Sequence, residues 1–161
     1  LFSMVPVYFK EKRHVNASFI GMMLGMKGLI VAMVEMVLVY KIEGRRHMMT
    51  YISLGAFCIG MAYLTLNIGS MAFIAILSML IITLGEMLMF PFVNTFWVSR
   101  SQEHNRGQYA SIYTISFSLA NVLAPTIGSQ IINHFGFNTL WYTVAGVCII
   151  ASFLFYRFRY V

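Results

Sequence analysis

Charged side chains are scarce in this sequence. Only 10% of its 161 residues are charged and 60% are hydrophobic, whereas an ordinary soluble domain has about 25% charged residues. This composition excludes a water-soluble globule. The apolar residues fall into runs of roughly 20, each long enough to cross about 30 Å of hydrocarbon as a helix. A β-barrel would instead need segments of about ten residues that alternate in polarity. We therefore predict an all-α, polytopic, integral membrane protein.

Motifs for catalysis, metal binding and nucleotide binding are also missing from the sequence. The two cysteines, Cys58 and Cys148, lack CxxC spacing and are typical of packing residues. The four histidines lie between apolar runs and lack the His-Glu-x-x-His spacing of a zinc site. The sequence has no Gly-x-x-x-x-Gly-Lys-Ser/Thr loop for ATP. We expect no cofactor, no metal and no enzymatic activity.

The apolar runs define five full spans and one partial span. The predicted bounds are 1–9 for the partial span, followed by 17–40, 48–66, 70–98, 107–133 and 139–157. The short connections between them make neighbouring helices antiparallel. Because the sequence begins with Leu1 inside an apolar run, we expect residues 1–161 to be one transmembrane unit of a longer protein.

The basic residues are distributed unequally between the two ends of these spans. If the spans alternate in direction, one side of the membrane holds Lys10, Lys12 and Arg13. The other side holds seven basic residues, which are Lys41, Arg45, Arg46, Arg100, Arg106, Arg157 and Arg159. Cytoplasmic loops carry the excess of Lys and Arg, so we expect the C-terminus in the cytoplasm. The net charge of +6 then reflects topology and contact with anionic lipid, and it requires no nucleic-acid partner.

Three ionisable residues lie inside the predicted spans. Lys27 and Glu35 are in the span 17–40, and Glu86 is in the span 70–98. A central charge costs about 2.5–3.5 kcal/mol to insert, so such residues usually face a bundle interior or a water-filled cavity. One interpretation is a buried ion pair of Lys27 with Glu86 or Glu35 that only fixes helix register. The other is that burial favours the neutral form of a carboxylate, which then exchanges protons as water reaches it from alternate sides.

Residue spacing relates these charges to neighbouring side chains. A stripe of small residues suited to close helix packing is formed by Gly21, Gly25, Gly28 and Ala32, with Glu35 projecting near it. Glu86 shares a helix face typical of a site for an organic solute with Met79, Thr83, Phe90, Val93 and Trp97. The thirteen methionines suit either a pliable binding site or simple contact with lipid. The spans 48–66 and 139–157 contain no charged residue, so we expect them to face lipid.

Three local patterns carry a family resemblance. The first is Gly44-Arg45-Arg46 in the loop after the span 17–40. The second is Arg106-Gly107, followed by Tyr113, Ala124-Pro125-Thr126-Ile127-Gly128-Ser129 and Gly136. The third is Gly85-Glu86-Met87-Leu88-Met89-Phe90-Pro91, followed by Asn94 and Trp97. In this order the patterns resemble the C-terminal half of a major facilitator superfamily transporter, nearest to bacterial drug and proton antiporter branches.

The resemblance covers the whole chain and implies its architecture. Residues 1–161 would form one six-helix half of the family's bundle, with a stub of helix seven and complete helices eight to twelve. Helices seven, eight, ten and eleven line the cavity in that family, and helices nine and twelve lie outside. Substrate binds near the midplane between the two halves, which implies the N-terminal half of the same transporter as a partner.

The resemblance also implies roles for individual residues. A gating loop corresponds to Lys41, Gly44, Arg45 and Arg46, although Lys41 stands where the family has Asp. Helix bending is implied for Pro91, Pro125 and Gly128. Cavity lining is implied for Thr83, Phe90, Asn94, Trp97 and Tyr113. The candidates for proton coupling or substrate binding are Glu86, Glu35 and Lys27.

These features together favour secondary active transport by alternating access in a bacterial inner membrane. We expect proton-coupled efflux of a small amphipathic organic compound. One alternative is proton-driven uptake of a sugar, peptide or carboxylate, with Lys27 binding an anionic group. Another is a non-catalytic membrane scaffold subunit whose intramembrane charges are paired and inert.

Overall fold

The computed structural model describes residues 17–67 and 72–160. The described residues form four long helices and no β-strand: α1 (Ala17–Ile42), α2 (Met48–Thr65), α3 (Ala72–Arg100) and α4 (Arg106–Arg157), followed by a 3-10 turn (Phe158–Tyr160). Three segments are long and apolar enough to cross a membrane, namely Met48–Thr65, Phe73–Arg100 and Arg106–Arg157. The prediction of an all-α membrane protein is therefore confirmed. The predicted stub 1–9 lies outside the described residues.

Gly136 divides α4 into two helical segments. Its backbone has φ 82° and ψ 172°, a conformation essentially restricted to glycine, and the residues on both sides are helical. We name residues 106–135 α4a and residues 137–157 α4b. The sequence predicts a connection of several residues here, between the spans 107–133 and 139–157. The structure reduces it to one residue because glycine alone allows the necessary change of chain direction.

Helix α2 packs against α3 on one side and α4b on the other. At the α2–α3 crossing, a Cβ built on Gly55 would lie 2.6 Å from the carbonyl oxygen of Gly85. At the other contact, a Cβ on Gly60 would lie 3.1 Å from Cβ of Cys148. Small residues allow such close approach between membrane helices.

The prediction that the span 48–66 faces lipid is therefore wrong for about half of its residues, which are buried against α3 and α4b. Half of the apolar window of α2 is buried, and its exposed apolar side chains form one stripe of Leu54, Phe57 and Met61. The α4b segment likewise has an exposed stripe that includes Val147, Ile150 and Phe153 and a buried face with Trp141 and Val144. The absence of charged residues cannot tell the exposed face of such a helix from its buried face, since apolar side chains suit lipid and protein neighbours equally in a membrane.

The small-residue stripe of α1 is not at a close helix contact in the described part of the chain. Gly21, Gly25 and Gly28 are exposed, and no described residue lies within 4 Å of a Cβ built on any of them. The close approach predicted there is instead found between Gly55 and Gly85. The spacing of small residues on α1 did not identify this crossing.

Interhelical contacts show that the loops rich in basic residues lie together at one end of the bundle. The Tyr51 hydroxyl donates a hydrogen bond to the carbonyl oxygen of Ile42 at 2.8 Å, and the Tyr51 ring stacks on Phe92 at 4.6 Å. These contacts bring the end of α1, the start of α2 and the last part of α3 together. Lys41, Arg45, Arg46 and Arg100 lie in or next to these helix ends. Phe155, two residues before Arg157, packs against the same cluster of Tyr51 and Phe92.

Candidate functional site

An ion pair joins α1 to α3 within their membrane-length segments. The Lys27 Nζ lies 2.6 Å from Glu86 Oε2, and the two side chains are 14% and 18% exposed. At about 1.5 Å per residue, Lys27 lies about 22 Å from Ile42 and Glu86 about 21 Å from Arg100. The two residues therefore lie at matching depths on neighbouring helices. Of the two partners that the sequence left open for Lys27, the structure pairs it with Glu86.

The position of Glu86 depends on the tight α2–α3 crossing. Gly85 precedes it, and a Cβ on Gly85 would lie 2.8 Å from the carbonyl oxygen of Gly55 and 2.7 Å from Cγ1 of Ile59. Glycine at 55 and 85 thus sets how close α3 lies to α2 one residue before the carboxylate. The sequence does not indicate this role, since the two glycines lie on different helices and residue spacing reveals contacts only along one helix.

A small cavity of about 110 Å³ lies between α1 and α3 at the ion pair. Its walls are mainly apolar and consist of Met22, Met26, Lys27, Ile30, Ile76, Met79, Leu80 and Thr83. The Thr83 hydroxyl donates to the carbonyl oxygen of Met79 at 2.7 Å, so its donor is already used within α3. Binding pockets for drug-sized ligands measure about 300–1,000 Å³. This cavity therefore has room for part of an organic molecule beside the Lys27 stem.

Glu35 lies in a different place, in a wide groove nearer the basic end of the bundle. The groove measures about 870 Å³, and its lining includes Glu35, Tyr40, Glu43 and Pro91. Glu35 lies eight positions after Lys27, which corresponds to about 12 Å along α1. Among the described residues, no basic group lies within ion-pair distance of Glu35. A Lys27–Glu35 pair is thus absent from this conformation.

The residues predicted to line one cavity are divided among several sites. Thr83 lines the small cavity, whereas Phe90 is 39% exposed. Near the end of α3, Trp97 Nε1 donates to Asn94 Oδ1 at 3.2 Å, and the Trp97 ring stacks on Tyr113 of α4a at 5.8 Å. Trp97 lies 14 positions after Thr83, which is about 21 Å of helix and too far for one small ligand. A shared helix face therefore does not make a shared site.

The predicted gating loop is an exposed turn between α1 and α2. Lys41, Gly44, Arg45 and Arg46 are all exposed. Gly44 has φ 76°, which suits a glycine that ends a helix, and the Arg45 amide donates to the carbonyl oxygen of Ile42 at 3.2 Å. His47 then caps α2 by accepting a hydrogen bond from the Met49 amide at 3.4 Å. The loop is thus held by backbone and cap hydrogen bonds.

The prolines predicted to bend helices lie within continuous helical segments. Pro91 is inside α3 and Pro125 is inside α4, and the only described residue with non-helical backbone within α4 is Gly136. Thr95 donates its hydroxyl to the Pro91 carbonyl oxygen at 3.0 Å, and Gly128 is buried. Each proline removes one backbone donor, which leaves a local weak point in the helix without breaking it.

Comparison with known proteins identifies the family of the chain. The family model described as Major Facilitator Superfamily matches residues 1–161. Searches of curated proteins and of solved structures found no match. The family match covers the residues of the ion pair, the loop between α1 and α2 and all four described helices. The chain therefore belongs to the Major Facilitator Superfamily, whose members are membrane transporters.

Proposed function

We propose that this protein is a secondary active transporter that exports a small amphipathic organic compound in exchange for protons. The observation that carries the proposal is the Lys27–Glu86 ion pair at 2.6 Å, which lies inside two membrane-length helices beside a mainly apolar cavity. Ionisable residues inside a membrane span usually mark substrate or proton pathways. In this proposal Glu86 is the principal proton-coupling residue.

Protonation of Glu86 gives the pair two states with different energies. While Glu86 is ionised, it neutralises the Lys27 ammonium between α1 and α3. Removing one partner of a buried ion pair typically costs about 3–5 kcal/mol, because the other charge is left uncompensated. A proton on Glu86 therefore favours a conformation in which the Lys27 ammonium reaches water or another acceptor. Alternating access requires such a shift between two conformations.

The remaining sites extend the same proposal. Glu35 borders the wide groove toward the basic end and would exchange protons with that side of the membrane. Three methionines, Met22, Met26 and Met79, line the small cavity, and thioether side chains adapt to ligands of varied shape. Phe90, Asn94, Trp97 and Tyr113 would contact substrate at other stages of its passage. Pro91, Pro125 and Gly128 would allow bending, and the loop with Lys41, Gly44, Arg45 and Arg46 would control opening.

The proposal includes a partner and an orientation. We assign this chain to the C-terminal half of the transporter, with the N-terminal half forming the opposite wall of the substrate pathway. In this proposal that end of the bundle and the C-terminus are cytoplasmic, which the excess of basic residues there supports. A bacterial inner membrane supplies the proton gradient.

A second candidate function is proton-driven uptake of an anionic solute. One observation favours it, since Lys27 lines the small cavity and Glu86 is not among its lining residues. An anionic substrate could then replace Glu86 as the partner of the ammonium. Transport by Lys27→Ala, measured with anionic and with cationic substrates, separates the candidates. A loss confined to anions supports uptake of an acid.

The experiment that tests proton coupling uses the full-length protein in inside-out vesicles, with ethidium as the amphipathic probe. Wild-type protein should accumulate ethidium when a proton gradient is imposed, and Glu86→Gln should not. The matched control is Glu103→Gln, which neutralises an exposed carboxylate in the α3–α4 loop and should retain accumulation. Wild-type accumulation rates in Glu86→Gln vesicles would show that Glu86 does not couple protons to transport.

A further inference from the structure

A separate cavity lies at the end of the bundle that collects the basic residues. It measures about 260 Å³ and lies between the α1–α2 loop and the last turns of α3. Its lining includes Arg46, His47, Phe92, Phe96, Ser99 and Arg100. None of these residues lines the small cavity at the ion pair. We propose that this cavity binds the phosphate headgroup of an anionic phospholipid.

The charge of the cavity favours an anion. The lining residues include two guanidinium groups, those of Arg46 and Arg100, and one carboxylate, that of Glu43. Within residues 17–67 and 72–160, no carboxylate lies within ion-pair distance of either guanidinium. Helix α2 begins at Met48 in the cavity wall, whereas α3 ends there at Arg100, so the helix dipoles partly offset each other. The positive charge therefore comes from the side chains, because two guanidinium groups outnumber one carboxylate in the lining.

The arginine geometry suits phosphate in particular. The Arg100 guanidinium lies 5.2 Å from the centroid of the Phe96 ring, which is a cation–π contact distance. A guanidinium carries parallel donors that match two phosphate oxygens. Arg46 lines the same cavity from the loop between α1 and α2. A phosphate bound between them would bridge the loop and α3.

The apolar part of the wall distinguishes a lipid from a soluble phosphate. Met48, Phe92 and Phe96 line the same cavity as the two arginines. The cavity also lies at the start of α2 and the end of α3, two helices long and apolar enough to cross a membrane, where headgroups would meet a spanning helix. Basic pockets between transmembrane helices are a known way of binding phospholipid headgroups. A phospholipid matches both the basic and the apolar part of the wall. Its phosphate would bind the arginines, and its acyl chains would continue into the bilayer beside the apolar side chains.

The binding test uses purified full-length protein and a photoactivatable phosphatidylglycerol analogue. In the wild-type protein, crosslinks should map to the peptides that contain Arg46 and Arg100. In the double variant Arg46→Gln with Arg100→Gln, half-saturation should require about tenfold more analogue or higher, since each basic residue contributes to lipid attraction. The matched control, Arg106→Gln with Arg157→Gln, removes the same charge from exposed positions at the same end and should label like wild type.

Two further arms identify the source of the phosphate and do not depend on the variants. Glycerol 3-phosphate should not compete with labelling of the wild-type protein, and a phosphatidylcholine analogue should label the two peptides more weakly. Complete competition by glycerol 3-phosphate would assign the site to a soluble anion and overturn the lipid proposal. Crosslinks spread evenly over the peptides of all the basic residues, or equal labelling by phosphatidylcholine, would overturn it as well.

Discussion

Gly55 and Gly85 lie against each other at the crossing of α2 and α3. A Cβ built on Gly55 would lie 2.6 Å from the carbonyl oxygen of Gly85, and one built on Gly85 would lie 2.8 Å from the carbonyl oxygen of Gly55. The obstacles include a backbone carbonyl oxygen on each helix, which no side-chain rotation can move aside. The distance between the two helices, and with it the placement of Glu86, depends on both residues being glycine.

Replacing Gly85 by alanine should destabilise the protein. Alanine gains about 1 kcal/mol in helix propensity, but overpacking at a close contact typically costs about 1–3 kcal/mol because α2 and α3 must separate. Thermal unfolding in detergent should show a lower midpoint for Gly85→Ala. The control is Gly146→Ala in α4b, where a Cβ has no neighbour within 4 Å among the described residues. Equal midpoints for the two variants would contradict the close crossing.

Replacing Gly136 by alanine should also destabilise the protein, for a different reason. Nothing described lies within 4 Å of a Cβ at this position, so space is not limiting. The backbone conformation is the obstacle, since φ 82° and ψ 172° would cost an alanine roughly 1–3 kcal/mol. Gly107→Ala, at a helical glycine of α4a with equal space, is the control. If both variants unfold at the wild-type midpoint, Gly136 does not set the turn between α4a and α4b.

Sequence patterns predicted much of the fold and only part of the site. Uninterrupted apolar runs predicted helices in a membrane. The connections predicted between spans include Gly44 and Gly136, and the structure has a positive φ at both. The partner of Lys27 could not be chosen from sequence, because it depends on the rotation of α1 and the relative depth of α1 and α3. The α1 glycines had the spacing of a packing motif, yet the close crossing uses single glycines on α2 and α3. Periodicity describes a helix face, whereas contact depends on a second helix.

A pair of buried serines should stabilise the contact between α2 and α4b. Ser53 donates to the carbonyl oxygen of Ser152, and Ser152 donates to that of Ser53, each at 2.8 Å. Interhelical hydrogen bonds in membrane proteins average about 0.6 kcal/mol and reach about 1.7 kcal/mol. Single and double substitutions to alanine should lower the free energy of unfolding by amounts in this range per bond. Ser111→Ala, which removes an exposed bond within α4a, should have almost no effect.

The central claim is that the Lys27–Glu86 pair couples protons to transport and does not only fix helix register. The double variant Lys27→Gln with Glu86→Gln removes both charges, so neither is retained without the other. We would measure its thermal stability together with its uphill and downhill transport of ethidium in vesicles. The account predicts a stability near that of wild type, retained downhill movement and no accumulation against a gradient when protons are supplied. Accumulation at the wild-type rate would show that the pair is only structural and would contradict the account.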